Sequence, residues 1–124
     1  MVHRELSDPH IQNLPKAGLA DFFYWLLGRR KRYRVAGLSM EPTLLEGWTV
    51  LVELSAYKTR LPEIGEVVLA QLPGCAEPSI KRVRSIAKDG VDLRGDNGAQ
   101  STDSVTLGRI DTTQILGQVI CTFP

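Results

Sequence analysis

Short apolar runs set off by turn residues mark most of this chain as β structure. Trp48-Thr49-Val50-Leu51-Val52 follows Gly47 and predicts a strand. Glu66 to Leu72 predicts another, entered through Gly65 and ended by Pro73-Gly74. Ser79 to Ile86 is a third. Asp89-Gly90 signals a hairpin turn before Val91-Asp92-Leu93. Gln114 to Thr122 is the last strand, interrupted by Gly117. One segment follows a different period: Leu19, Phe22, Phe23, Leu26 and Leu27 recur at helical spacing, predicting a helix from Leu19 to about Arg32. Met1 to Lys16 is polar, carries Pro9 and Pro15, and reads as a flexible arm. The pattern predicts a mainly β fold, a small folded sheet or barrel with an N-terminal helix, in a single domain over residues 17–124.

Composition narrows the function classes. The chain has 124 residues, 43% hydrophobic and 23% charged, which suits one globular domain. Its formal net charge of +1 does not point to nucleic acid. The distribution is uneven: Arg29, Arg30, Lys31, Arg32 and Arg34 form a basic cluster, placed by the predicted helix at its C-terminal end, where cations suit the helix dipole. Cys75 and Cys121 lie far apart and read as free thiols, neither a disulfide framework nor a zinc site. His3 and His10 are the only histidines, and no cofactor or metal is called for. The longest apolar run, Phe22 to Leu27, is far short of the roughly 20 residues that span a bilayer. The expected location is the cytoplasm. Two readings of the helix stay open. In the favoured one it packs on the sheet and the arginines are solvated. In the other, Phe22 to Leu27 and Arg29 to Arg34 touch an anionic membrane peripherally.

Three segments are candidates for chemistry. Gly37-Leu38-Ser39-Met40-Glu41-Pro42-Thr43-Leu44 is a turn in which Pro42 restricts Glu41. It holds Ser39 in place, although Thr43 and Glu46 also have capping-box spacing for a short helical turn. Lys81 lies in the third strand, where alternation puts Lys81, Val83 and Ser85 on one face and Ile80, Arg82, Arg84 and Ile86 on the other. A buried lysine is driven toward its neutral form, and a neutral amine is a base. The plainer reading is a solvated basic strand. Arg94 to Ser104 is dense in turn formers and reads by itself as a surface loop.

Taken in order, Ser39-Met40-x-Pro42-Thr43-Leu44, Gly47 with Val50-Leu51-Val52, Ile80-Lys81-Arg82-Val83, and Gly95-Asp96-Asn97 with Ser101-x-Asp103-Ser104 and Gly108 resemble the signal peptidase I family, across roughly Arg34 to Ile120. The resemblance implies a serine endopeptidase of mostly β fold with a Ser/Lys dyad. Ser39 matches its nucleophile, Lys81 its general base, Met40 a residue packed beside the site, and Ser101 the hydroxyl that orients the lysine. Gly95, Asp96, Asn97 and Asp103 match the supporting loop, with Gly37 and Pro42 shaping the nucleophile turn. The chain departs from many bacterial members at Gly37, where a serine often helps hold the oxyanion, and at Val105, where an arginine often stands. With no anchor in the sequence, the architecture is nearest to the maturation proteases of nickel-type superoxide dismutase. The partner this implies is a precursor protein with an N-terminal leader. The runner-up activity is general signal-peptidase-like processing at a membrane. Another reading is a self-cleaving repressor of the LexA type, for which Ala17-Gly18 is the only distant Ala-Gly pair. Residues 1–32 are too few for a DNA-binding domain with its own core. A non-enzymatic membrane- or partner-binding module is the remaining class.

Overall fold

The computed structural model describes residues 14–97 and 108–123. Helix α1 (Leu19–Leu26) is followed by strands β1 (Lys31–Arg34), β2 (Thr49–Glu53), β3 (Val67–Ala70), β4 (Ser79–Ala87), β5 (Gly90–Arg94) and β6 (Ile115–Phe123), with a 3-10 turn at Thr112–Gln114. The six strands form one sheet in the order β1-β2-β6-β3-β4-β5, and every pairing is antiparallel. This is the mainly β architecture that the short, turn-bounded strands predict.

Two apolar clusters hold the sheet. Val35, Met40, Leu44, Val50, Val52, Val67, Leu69, Ile80 and Val119 make one. Val68, Ala70, Leu72, Val83, Val91, Leu93, Ile110 and Ile115 make the other. The central strand β3 is buried at all four positions, and its alternate residues feed the two clusters, so the sheet has a core on each side there.

Several expectations are corrected. The helix stops at Leu26, because Gly28 takes a φ of +79° and the chain turns into β1. Lys31, Arg32 and Arg34 therefore belong to an edge strand, and no basic residue lies in the helix's last turn. The last strand is not broken at Gly117, which pairs with Leu69 inside β6. A β-carbon there would come within 2.8 Å of the Glu53 carbonyl oxygen and of Val52 Cγ1, so the glycine marks a close approach between strands. The face assignment on β4 fails beyond Val83. The register shifts between Val83 and Ser85, and this bulge moves Ser85 to the face opposite Val83. Of the expected arm, residues 1–13 lie outside the described residues. Its end is pinned: Thr122 N–H donates to Pro15 O at 2.9 Å, and Lys16 bridges Thr122 in parallel.

Helix α1 lies over the side of β1, β2 and β6 that faces away from the Val50–Val52 cluster. Phe22 and Trp25 contact the Phe123 ring, with centroids 6.5 and 5.0 Å apart, and the Arg32 guanidinium stacks over Trp25. Leu51 and Cys121, paired across β2 and β6, are fully buried beneath. Arg30 bonds to both Asp21 and Glu53 and so ties the helix to β2. The expected packing on the sheet holds only for one side of the helix. No helix residue is fully buried, and Leu19, Phe23, Leu26 and Leu27 face outward. No helix among the described residues is long and apolar enough to cross a membrane.

Candidate active site

The turn from Val35 to Gly47 joins β1 to β2 and carries Ser39. It is closed at its base by two backbone bonds, Val35 N–H to Trp48 O at 2.7 Å and Gly47 N–H to Val35 O at 2.8 Å. Met40 and Leu44 are its apolar anchors, both buried in the cluster with Val35 and Ile80. Leu44 N–H donates to Met40 O at 2.9 Å, so the turn is tight. The Glu41-Pro42 bond is cis. The capping box expected of Thr43 and Glu46 does not form. Thr43 Oγ1 donates instead to Asp96, and Glu46 accepts from the Gly37 N–H at 3.2 Å. Ser39 is left half-buried at the rim of a hollow of about 190 Å³ lined by Arg34, Val35, Ala36, Ser39, Met40, Glu77, Pro78, Ser79 and Ile80.

Lys81 follows Ile80 on β4 and is only 3% exposed. It pairs with Val68 and shares that residue's face, while Ile80 and Arg82 face the other way. The solvated-strand reading of Lys81 is therefore set aside: Lys81, Arg82 and Val83 are all buried. Lys81 itself does not line the hollow, whose walls include its neighbours Ser79 and Ile80. Pairing between β4 and β5 ends at Arg82 and Arg94, so the segment Ser79 to Lys81 runs on past the end of β5.

The Gly95-Asp96-Asn97 segment leaves β5 at this level and joins the two elements. Asn97 N–H donates to Ser39 O at 2.7 Å, and Asn97 Nδ2 donates to Leu38 O at 3.1 Å. Asp96 accepts from Arg82 Nε and Nη2, both at 2.9 Å, and from Thr43 Oγ1. Arg82 Nη1 also donates to Gly65 O at 2.7 Å. One carboxylate thus grips the serine turn and the lysine strand together. The bidentate geometry gives this grip direction as well as strength. Arg82 and Thr43 received no site role from sequence. The available signal was the arginine beside Lys81, a matched cation for the acid of Gly95-Asp96-Asn97.

Of the expected site residues, the structure brings Ser39, Met40, Pro42, Gly37, Asp96 and Asn97 into one turn cluster, places Gly95 at its entry, and sets Lys81 on the adjoining strand. Ser101 and Asp103 lie outside the described residues. Among the described residues no group of three or more His, Cys, Asp or Glu side chains could hold a metal ion. Glu66, away from this cluster, sits in a polar network with Tyr57, Arg60 and Gln118.

The profile of the Peptidase S24-like family matches residues 29–120. The chain belongs to that family. The match spans the serine turn, the lysine strand and the Gly95-Asp96-Asn97 segment, and it leaves out α1 entirely. Membership in the Peptidase S24-like family makes this a peptidase of the serine type in its general class. No curated protein matches the chain.

Proposed function

We propose that the protein is a serine endopeptidase in which Ser39 is the nucleophile and Lys81 the general base. The observation that carries this reading is the linkage through Asp96 and Asn97, which fixes the Ser39 turn against the strand of a buried lysine. An amine withheld from water loses much of its preference for the charged form and becomes able to take a proton. Lys81 leaves β4 on the Val68 face, opposite Ile80 and the hollow, so the proposed reaction requires its long side chain to reach Ser39 around the strand; there Nζ removes the Ser39 hydroxyl proton as Oγ attacks the scissile carbonyl carbon. The backbone N–H of Ser39 stabilises the oxyanion. The Lys81 ammonium then returns the proton to the leaving amine, and water attacks the acyl-enzyme with Lys81 again as base. Among the described residues the pairing of β4 with β5 stops at Arg82, and the β4 edge at Ser79 and Ile80, which line the 190 Å³ hollow, suits an extended substrate backbone added as a strand.

The substrate we propose is the precursor of a nickel-type superoxide dismutase, cut once to release its N-terminal leader. The support is the small size of the chain and the glycine at position 37 of the serine turn, an architecture that resembles those maturation proteases. Self-cleavage at Ala17-Gly18 is disfavoured by the place of that bond: Ala17 N–H donates to Thr122 O at 2.8 Å, holding the segment to the end of β6. The test is incubation with that precursor, read by mass spectrometry. One cut is expected, with the rate falling by about 10⁴-fold or more in Ser39→Ala and in Lys81→Ala. Cleavage that persists in Ser39→Ala removes the assigned nucleophile. A precursor left intact by wild-type protein that still cleaves another polypeptide removes the substrate alone.

A further inference from the structure

Helix α1 is turned the wrong way for a helix that serves only its own core. Leu19, Phe23 and Leu26 recur at i, i+4 and i+7 and form one stripe, with Leu27 beside it. That stripe faces solvent: Leu19 is 75% exposed, Leu27 71%, Leu26 61% and Phe23 52%. The side turned to the sheet carries Asp21 and Trp25. Around the stripe stand cations. Arg29 stacks over Tyr24 and Arg32 over Trp25, with Arg34 on the same face of the adjoining edge strand as Arg32. The nearby carboxylates, Asp21 and Glu53, are both taken up by Arg30. Among the described residues Arg29, Arg32 and Arg34 make no ion pair with a carboxylate. The surface is therefore strongly cationic in a chain of net charge +1.

We propose that this face docks on an anionic lipid bilayer, with the Leu19–Leu27 stripe inserted at the headgroup boundary and Arg29, Arg32 and Arg34 against lipid phosphates. The combination of a large outward apolar stripe and flanking Arg and Lys is that of an interfacial helix, whose binding joins apolar burial to attraction for anionic lipid. A second copy of the chain fits poorly, since a two-fold contact through the stripe brings the same three arginines toward themselves. The docking rests on the patch alone and is independent of the peptidase assignment.

Vesicle flotation tests it. The full chain should float with equimolar phosphatidylcholine–phosphatidylglycerol vesicles, remain unbound with phosphatidylcholine alone, and be released by high salt. Leu26→Ser with Leu27→Ser, and separately Arg29→Glu with Arg32→Glu, should each lower the partition coefficient at least about tenfold. Circular dichroism melting should confirm that both variants are folded. Absence of flotation, or equal flotation of wild type and folded variants, overturns the proposal. So does a wild-type dimer in light scattering that the Leu26→Ser, Leu27→Ser variant converts to monomer, because the stripe is then covered by its own copy.

Discussion

Arg82 Nε and Nη2 each lie 2.9 Å from an oxygen of Asp96, and both side chains are only 6% exposed. A buried pair of this kind is weak evidence of net stabilisation, but breaking it is costly, because the surviving charge stays out of water. Asp96→Ala should therefore destabilise the protein by about 3–5 kcal/mol in urea unfolding. Arg82→Met combined with Asp96→Leu should cost less than either single change. Both the single and double variants should lose peptidase activity, since Thr43 and the Ser39 turn are released from β4.

Gly117 is a second point of tight fit. Gly117→Ala puts a methyl within 2.8 Å of the Glu53 carbonyl oxygen and of Val52 Cγ1, which forces β2 and β6 apart. A loss of about 1–3 kcal/mol is expected in thermal or urea unfolding. The neighbouring exposed Leu116→Ala should change stability by less than that.

Acid should loosen the Glu66 network. Burial pushes the Glu66 carboxyl up, but the Arg60 guanidinium, the Glu63 N–H and the Tyr57 hydroxyl together outweigh it and hold the group below its ordinary value of 4.5. A carboxyl depressed in the folded state stabilises fully above the unfolded value, and that contribution is lost as pH falls through the folded value. Glu66→Gln should be less stable at neutral pH and show a shallower decline in stability below pH 4.5. The decline should persist in part, because hydrogen bonds from Ser55 and Arg30 overcome burial at Glu53 and lower that carboxyl too.

The two thiols should differ sharply. Burial, with the Asp21 charge behind it, pushes the Cys121 thiol up to about 11. At neutral pH it is a protonated, sheltered thiol, whereas Cys75 is partly open to solvent. Iodoacetamide followed by mass spectrometry should modify Cys75 first, with Cys121 reacting only as the chain unfolds. Since the folded state favours the neutral thiol, its share of stability is present below the ordinary value of 9.0 and lost as pH rises through about 11.

The strands were legible because short apolar runs bounded by Gly, Pro and Asp-Gly punctuation coincide with strands buried in the sheet. β1 was missed for a physical reason. Lys31-Arg32-Tyr33-Arg34 is an edge strand with one half-buried residue, so it lacks an apolar period and hides behind the helical one. The bulge after Val83 was equally hidden, since register is a property of two strands and not of one. At the site, Ser39, Lys81 and the Gly95-Asp96-Asn97 segment were legible as types in order. The agents joining them, Arg82 and Thr43, were not, because their roles depend on which side each element meets.

The contact between Asn97 and the carbonyl of Ser39 also sets an order in time. During translation Ser39 and Lys81 leave the ribosome before Asn97 does. On the dyad proposed above, the nascent chain carries both residues while still lacking the brace between the serine turn and β4. Competence to cut would then arrive only with the second half of the polypeptide.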